Sequence, residues 1–572
     1  MHIHNFNMSK SHFYFKYLAI KALTSLKINN LPSFLFFGML LLSACTSSRP
    51  TTSQKPSTAP ISTSKPNTSI GLPEKTSSTS FYNTYELTLQ EGKREFRGIW
   101  IATVANIDWP RSGMDSWDKQ KADFIALLDY YQNLNFNAVI VQIRAAGDAF
   151  YPSRFAPWSK YLTGQQGKKP NTTEDPLSWM ILQAHQRGME FHAWLNPYRA
   201  TFDLAIDQLS PQHDFHKHPD WMIKYGNKYY YNPGIPEVRK HLTNIIQEVV
   251  QNYDIDAIHF DDYFYPYKVE KEIFRDQETY KKFAQGQSLE DWRRNNVNLL
   301  IKETHQTIKT HKPWVQFGIS PFGVWRNKDK DPNGSNTRAG VTNYDDLFAD
   351  PITWMKNGWI DYLIPQLYWS MDYSLAAHRE LVSWWAKNSH QTKIYIGNSP
   401  YKIRDNADKA WDNPREISTQ IEFARTFREI AGNAFFSASS FYSKNKDVAS
   451  LIKENNYKYK KLTPQFVSKS TSNALPSPKA ELQVDQGIPR LFLPYAIDPQ
   501  FRFAIIYTTN HLNQVSQKTE GISFRKIYLN DRTKNLIILD QQDLNQQFLV
   551  LTFMDRFGKE SKAQVFEILA KP

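Results

Sequence analysis

The chain has 572 residues, too many for one domain of ordinary size and enough for a large core with an accessory module. Its single cysteine, Cys45, excludes an intrachain disulfide and a thiolate metal cluster. The net charge of +13 is spread along the chain rather than clustered, which argues against nucleic-acid binding and favours anionic surroundings such as a polyanionic wall or a lipid surface.

The first predicted element is an export signal over residues 1–45. A basic segment without acidic residues precedes the apolar stretch FLFFGMLLLSA, which is too short to span a membrane comfortably. The sequence LSAC, ending at Cys45, resembles the lipobox of bacterial lipoproteins, in which the cysteine is lipidated and becomes the mature N-terminus. Thr46 stands where an inner-membrane retention signal typically has aspartate, so we expect a lipid anchor at the periplasmic face of the outer membrane. The alternative is a plain signal peptide with an incidental cysteine.

Residues 46–80 are predicted to form a disordered tether. They consist mainly of Ser, Thr, Pro and Lys, and such a composition cannot bury enough apolar surface to offset the entropy of ordering. A flexible chain of this length has an end-to-end distance of roughly 30 Å. An anchored enzyme could therefore reach polymer lying away from the membrane.

Residues 90–465 repeat one pattern eight times, a short β-branched or aromatic run followed by a longer amphipathic stretch. The runs are FRGIWIATV, FNAVIVQIR, EFHAWLNPYR, IDAIHFDDY, VQFGISPFG, IDYLIPQLYW, KIYIGNSPY and NAFFSASSF. Near-continuous apolar strands alternating with helices indicate a parallel sheet covered on both faces, and eight such units predict an α/β fold, a closed (β/α)8 TIM-like barrel. A doubly wound open sheet is the alternative, but it needs a glycine-rich first turn that IWIATVANIDWP lacks.

Residues 476–572 change to alternating strands without helical patterns, such as FRFAIIYTTN, ISFRKIYLN, NLIILD and AQVFEIL. This pattern predicts a small all-β sandwich, similar to a fibronectin type III module.

Carboxylate, amide, guanidinium and aromatic residues recur where the predicted barrel strands end, which is where the active sites of such barrels lie. This mixture suits glycoside hydrolysis, in which one acid protonates the leaving oxygen and a carboxylate stabilises or attacks the oxocarbenium-like carbon. Asp261 and Asp262, at the end of the fourth strand, are the predicted catalytic residues. The predicted substrate-binding residues are Arg144, Asp148, Tyr151, Trp194, Asn196, Arg199, His259, Tyr263, Trp325, Gln366, Tyr368, Trp369 and Tyr401.

Other interpretations of these residues stay open. Each aromatic side chain could be ordinary packing, Asp148 could cap the next helix, and His192 and His259 could fill a barrel layer. The same histidines with Asp261 and Asp262 could instead hold a metal, the chemistry of a polysaccharide deacetylase. No HExxH motif or spaced carboxylate loop supports that alternative, so we predict neither metal nor cofactor.

Several long motifs in this region resemble the bacterial glycosyl-hydrolase-like family ten. They are EFRGIWIATVANIDWP, QIRAAGDAFYPS, HAWLNPYR, IHFDDYFYP, WRRNNVN, FGISPFGVWRN and IDYLIPQLYW, and the resemblance extends over about residues 95–451. Members of that family are mostly lipoproteins with a (β/α)8 domain. They include an outer-membrane lipoprotein that acts at the division site on peptidoglycan glycan strands stripped of their peptides. The resemblance therefore implies a peptidoglycan glycan hydrolase.

The stretch DAIHFDD also resembles the strand-four motif of the α-amylase superfamily, in which an Arg-x-Asp pair supplies the nucleophile. That match places His259 at the arginine and Asp261 at the nucleophile, but the strand-five acid of that superfamily is missing from FGISPFG. Asp262, Asp148 and Asp372, in that order, are the candidates for the general acid. In a regular strand only Asp261 would face the barrel centre, whereas a loop beginning after Asp261 would let Asp262 turn inward too.

Together these features predict a lipid-anchored, monomeric glycoside hydrolase that acts on peptidoglycan glycan strands. A rival of a different class is a wall-binding lipoprotein that holds glycan without cleaving it. A carboxylate pair would be costly and unexplained in such a binder.

Overall fold

The computed structural model describes residues 81–466, 475–495, 497–530 and 535–569. The predicted signal peptide with Cys45 and the predicted tether over residues 46–80 lie outside the described residues. Within the described part, no helix is long and apolar enough to cross a membrane.

Eight parallel strands close into a barrel, in which the last strand pairs with the first. They are numbered one to eight here in chain order: Phe96–Ile101, Ala138–Arg144, Glu190–Leu195, Ala257–Phe260, Gln316–Ile319, Tyr362–Leu363, Lys393–Asn398 and Ile430–Phe435. Seven of the eight predicted apolar runs contain one of these strands, and the eighth, NAFFSASSF, overlaps only the last three residues of Ile430–Phe435. The predicted TIM-like barrel is confirmed and the open sheet is not formed.

Helices follow the barrel strands and pack around the closed sheet, as the amphipathic stretches predict. The principal helices are Trp117–Asn133, Pro176–Gln186, Pro236–Asn252, Leu289–His311, Pro351–Lys356, His378–Lys387, Glu416–Ala424 and Lys446–Leu451. Shorter helices and one hairpin lie in the loops: Lys160–Thr163, Asp214–Lys217, Gln277–Phe283 and Asn343–Asp346, with strands Met222–Tyr225 and Lys228–Tyr231. Side-chain caps begin several of them; Ser288, for example, accepts a hydrogen bond from the backbone N–H of Asp291.

Aromatic rings fill the amino-terminal half of the barrel interior. Phe96 stacks on Tyr395 with ring centroids 4.1 Å apart, and Tyr362 lies beside both rings. Gly318 on the neighbouring strand makes room for Tyr362, because a Cβ at that position would lie 1.8 Å from the Tyr362 ring. The large rings on some strands therefore require glycine on others.

The C-terminal region forms two antiparallel sheets, which confirms the predicted all-β module. One sheet contains Glu481–Asp485, Ile488–Phe492 and Leu536–Ile538, and the other contains Phe501–Thr509, Phe524–Tyr528, Phe548–Asp555 and Ala563–Ile568. A strand that precedes the barrel, Tyr82–Leu87, completes the second sheet by pairing with Ala563–Ile568. The pattern did not predict this strand, nor the short helix Leu512–Ser516.

The larger sheet of this module is buried on both faces. One face packs against the smaller sheet through residues such as Ile506, Leu551 and Phe566, and the other carries Phe503, Ile505 and Val550. On this second face Phe503 meets His185 of the barrel, with ring centroids 6.1 Å apart. This arrangement explains why FRFAIIYTT is apolar almost throughout rather than alternating.

A buried ion cluster joins the module to the start of the fourth barrel strand. Arg502, which is 3% exposed, contacts Asp256 Oδ1 at 2.6 Å and Asp254 Oδ2 at 3.1 Å. His185 Nε2 lies 2.9 Å from Asp256 Oδ2. Burial alone would raise the pKa of Asp256, but the Arg502 guanidinium and His185 reverse this effect and hold the pKa well below its usual range. The sandwich thus packs at the amino-terminal end of the barrel, opposite the carboxyl ends of its strands.

Candidate active site

Asp261 and Asp262 lie at the carboxyl end of the fourth barrel strand. The regular strand ends at Phe260, so both aspartates belong to the loop that follows. They are buried, with exposures of 5% and 4%, and the charge of Asp262 acts on the Asp261 carboxyl. The loop therefore begins one residue earlier than in the predicted geometry that lets Asp262 turn inward, and it keeps both acids buried.

The Asp261 carboxyl receives several donors. Asn196 Nδ2 donates to its Oδ2, the backbone N–H of Tyr263 donates to Oδ1 at 3.2 Å, and Arg199 Nη2 lies 3.9 Å from Oδ2. Burial and then the neighbouring charge of Asp262 raise the pKa of Asp261 to about 7, against the opposing effect of Arg199 and the hydrogen bonds. A carboxyl group with this pKa holds a proton in a large share of molecules at neutral pH, which is the property a general acid needs.

The Asp262 carboxyl is held by a phenol. The Tyr267 hydroxyl donates a hydrogen bond to Asp262 Oδ2. Burial, the charge of Asp262 and this hydrogen bond raise the pKa of Tyr267 well above its usual value. Tyr267 therefore keeps its proton and acts as a donor to Asp262.

Arg199 connects the acid pair to the aromatic side chains around it. Its guanidinium lies 4.5 Å from the centre of the Tyr263 ring, a cation–π distance, and faces Asp261 from the loop after the third strand. The structure thus brings together four residues predicted from the sequence as site residues: Asp261, Asn196, Arg199 and Tyr263.

Two groups of aromatic side chains follow the carboxyl ends of strands four to eight. Neighbouring rings within each group meet at centroid distances of 5.5 to 6.4 Å. Apolar sugar faces stack on such rings, while hydroxyl-binding groups lie between them. The first group consists of Tyr263, Tyr267, Phe322 and Trp369, and the second of Tyr368, Tyr401 and Phe436.

Four predicted substrate-binding residues make contacts with the protein itself. Asp148 accepts hydrogen bonds from the backbone N–H groups of Ala145 and Ala146, so it stabilises a turn rather than a helix start. Arg144 donates hydrogen bonds to the Asn196 carbonyl and to the Tyr231 hydroxyl. Tyr151 packs edge-on against Tyr253. Trp325 donates a hydrogen bond to Asp350 and stacks on Trp384. Their contact with substrate stays a prediction.

Trp194 and His259 lie inside the barrel, below the acid pair. Trp194 packs in the interior cluster, and His259 Nε2 accepts a hydrogen bond from Trp100 Nε1 at 3.4 Å. Burial holds the pKa of His259 well below its usual value, so its imidazole is neutral. A neutral His259 lacks the charge of the arginine to which the α-amylase resemblance matches it, whereas Arg199 provides a cation beside Asp261.

The two barrel histidines, His192 and His259, share the Tyr362 hydroxyl, and His192 also contacts the Glu190 carboxylate through its Nε2 at 3.0 Å. His192 Nδ1 and His259 Nδ1 lie 2.8 and 3.1 Å from the Tyr362 hydroxyl, deeper in the barrel than Asp261. Across the described ranges, no group of three or more His, Cys, Asp and Glu side chains is arranged to hold a metal ion.

Gln366, the remaining predicted residue, donates to the Ser320 carbonyl at 3.0 Å.

Four residues at the carboxyl ends of the barrel strands were not among the predicted site residues: Gln142, Tyr267, Phe322 and Phe436. The signals for them are weak in the sequence. Tyr267 and Phe322 follow strand ends within short aromatic runs, and Gln142 is a single polar residue inside the apolar run AVIVQIR. Each can be recognised as a site residue only from the contacts that the fold creates between separate loops.

Residues 95–413 match the family described as glycosyl hydrolase-like 10. The chain belongs to this family. The resemblance noted in the sequence motifs is thereby confirmed, and the family together with the barrel supports a glycosidase-type function. Relatives include "Glycosyl hydrolase YngK" of Bacillus subtilis, 48% identical over 381 residues that cover 66% of this chain and 74% of that protein. "Glycosyl hydrolase DigH" of Escherichia coli K12 is 38% identical over 373 residues, 61% of this chain and 84% of that protein.

Solved structures with a similar arrangement include two glycoside hydrolases. The glycoside hydrolase domain of PgaB (BpsB) from Bordetella bronchiseptica has a TM-score of 0.42 at 11% identity, covering 63% of this chain and 98% of that one. An endo-1,4-beta-mannanase from Rhizomucor miehei has a TM-score of 0.38 at 12% identity, covering 65% and 100%.

Proposed function

We propose that this protein is a lipid-anchored glycoside hydrolase that cleaves peptidoglycan glycan strands from which the peptides have been removed. The observation that carries the catalytic part is the buried pair of Asp261 and Asp262, in which Asp261 has a pKa of about 7. In a binding protein, two adjacent buried acids that repel each other would be costly and unexplained.

In the proposed reaction the two acids have different roles. Asp261 transfers its proton to the glycosidic oxygen as the bond between that oxygen and the anomeric carbon breaks. The Asp262 carboxylate, held by Tyr267, stabilises the positive charge that develops on the sugar. Water then attacks the anomeric carbon to form the hydroxyl group of the new reducing end, and the proton it releases returns to Asp261. The α-amylase resemblance suggests the nucleophile role for Asp261, but its raised pKa favours the role of proton donor.

Support for peptidoglycan as substrate comes from the chain outside the acid pair. The export signal and lipobox resemblance suggest the cell envelope, and the net charge of +9 that remains from Cys45 onward, 13 less the four lysines before it, suits an anionic wall. The half-buried rings of Tyr263, Tyr267 and Trp369 suit a chain of pyranose rings. The family resemblance suggests strands without peptides.

Whole sacculi and amidase-treated, peptide-free glycan strands distinguish the candidate substrates. We expect new reducing ends, detected by mass spectrometry, from the peptide-free strands and few or none from intact sacculi. Binding to the strands without products would favour the wall-binding alternative. Products that disappear on addition of EDTA would favour metal-dependent chemistry.

The lipid anchor is tested separately at Cys45. In a Gram-negative host, the wild-type protein is expected in the outer-membrane fraction and to incorporate labelled palmitate. Cys45→Ala removes the thiol that the lipid would modify, so we expect loss of the label and release of the protein from the membrane fraction. Labelling that persists in Cys45→Ala would contradict the anchor, and Cys45→Ala protein that hydrolyses strands normally would show that anchoring and catalysis are separable.

A further inference from the structure

Gln142 is a buried polar residue in the second barrel strand, and its amide bridges two loops of the site. Its Oε1 accepts hydrogen bonds from the backbone N–H groups of Thr103 and Val104 at 3.1 and 2.9 Å. Its Nε2 donates to Asn196 Oδ1 at 2.6 Å. Because a backbone N–H can only donate, a single orientation of the Gln142 amide satisfies both sides.

The orientation of Gln142 determines that of Asn196. Since Asn196 Oδ1 accepts from Gln142, its Nδ2 is the group directed at Asp261 Oδ2. The side chains of Gln142 and Asn196 are 0% exposed, so bulk water does not compete for these hydrogen bonds. Arg144 adds a further restraint, because its Nη1 donates to the Asn196 carbonyl at 3.1 Å.

The two oxygens of Asp261 therefore have different surroundings. Oδ2 faces the Asn196 amide and Arg199, whereas Oδ1 accepts the longer hydrogen bond from the Tyr263 N–H. The other ionisable groups nearby are Asp262 and Tyr267 on the same loop, with neutral His259 below. Donors on Oδ2 favour placing the proton of the neutral acid on Oδ1.

We propose that Gln142 is a positioning residue of this enzyme: by orienting the Asn196 amide, it directs the Asp261 proton to Oδ1 and sets the pH range in which the acid is protonated. This inference rests on the proposed function, in which Asp261 donates the proton. Gln142 acts through Asn196 and touches neither substrate nor the reacting atoms in this account.

The test is a double-mutant cycle read out as a pH profile. A hydrogen bond to a carboxylate stabilises the charged form, so loosening it raises the pKa of Asp261. In Gln142→Met we expect the alkaline limb of kcat/KM on peptide-free strands to move upward by about one pH unit. Asn196→Leu is expected to move it at least as far, and the double variant no further than Asn196→Leu alone.

Gln420→Met is the matched control. Gln420 is also a buried glutamine that contacts an asparagine, accepting from Asn398 Nδ2 at 2.9 Å, but its contacts are with Asn398, Trp369 and Glu416. Its replacement is expected to leave the alkaline limb in place even where stability falls. A limb that stays in place in Gln142→Met, or shifts of Gln142→Met and Asn196→Leu that add, would overturn the proposal.

A second readout does not need turnover. Infrared difference titration, comparing each variant with the same variant carrying Asp261→Asn, follows protonation of the Asp261 carboxyl directly. Absence of cleavage with a shifted infrared titration would contradict the proposed function and support the positioning role. Should Gln142→Met fail to fold, Gln142→Glu replaces it. This variant keeps the oxygen that accepts from Thr103 and Val104 but loses the N–H that donates to Asn196. An unshifted infrared titration of Asp261 in Gln142→Glu would contradict the positioning role of Gln142.

Discussion

Asp261→Asn is expected to lower kcat/KM on peptide-free glycan strands by about 10²- to 10⁴-fold, the range that a positioned general acid contributes. The amide has nearly the volume of the acid but no proton to give to the glycosidic oxygen. The measurement is the initial rate of reducing-end formation. Asp372, the third general-acid candidate from the sequence, is an exposed carboxylate paired with Arg379 rather than a buried one, so Asp372→Asn is the matched comparison and is expected to keep the wild-type rate. A rate in Asp261→Asn within a factor of two of the Asp372→Asn rate would contradict the assignment.

The same substitution should change the pH profile. The proton donor is active when protonated, and burial with the charge of Asp262 places the pKa of Asp261 at about 7. Activity of the wild-type protein is therefore expected to fall as pH rises through about 7. In Asp261→Asn the residual activity should lack this alkaline limb. A wild-type limb that persists in the variant would show that another group titrates there.

Asp256→Asn is expected to lower the free energy of unfolding by about 3–5 kcal/mol, because it removes one partner of a buried ion pair and leaves the charge of Arg502 poorly compensated. Urea unfolding of the whole chain measures this change. Asp485→Asn removes an exposed carboxylate that pairs with the half-buried Arg490 on the same module and is expected to cost less than about 1 kcal/mol.

Two further measurements examine this ion cluster. Combining Asp256→Asn with Arg502→Met removes both charges, so the double variant should be more stable than the sum of the two single effects predicts. The pKa of Asp256 is held below its unfolded value, so its contribution to stability is present above about pH 4 and is lost as pH falls below it. Equal stability of wild type and Asp256→Asn at neutral pH would contradict this account.

The barrel could be predicted from the sequence because its strands and helices are local patterns repeated eight times. The position of Asp261 and Asp262 at the carboxyl end of the fourth strand could be predicted for the same reason, since they follow an apolar run directly. Two neighbouring acids in a dry site predict that one pKa is raised, but the sequence does not say which, because the pKa of Asp261 depends on burial, on Asp262 and on Arg199 and Asn196 from another loop. The role of Gln142 likewise depends on contacts between strand two and the loops that follow strands one and three.

Pairing between strands far apart in the chain was the other feature that sequence patterns could not predict. Strand Tyr82–Leu87 pairs with Ala563–Ile568 at the far end of the chain, and no local signal connects them. The stretch DIDAIHFDD holds an acid pair at each end of one strand: Asp254 and Asp256 face the sandwich, and Asp261 and Asp262 form the candidate site. Periodicity alone does not distinguish a pair that binds an arginine from one that stores a proton.

Isotope labelling tests the central claim most directly. Peptide-free strands are digested in H₂¹⁸O by the wild-type protein and by Asp261→Asn combined with Asp262→Asn, and the new ends are analysed by mass spectrometry. Hydrolysis by the acid pair predicts one ¹⁸O atom at each new reducing end with the wild type and no labelled ends with the double variant. Unlabelled anhydro ends from the wild type, or labelled ends that persist in the double variant, would contradict it.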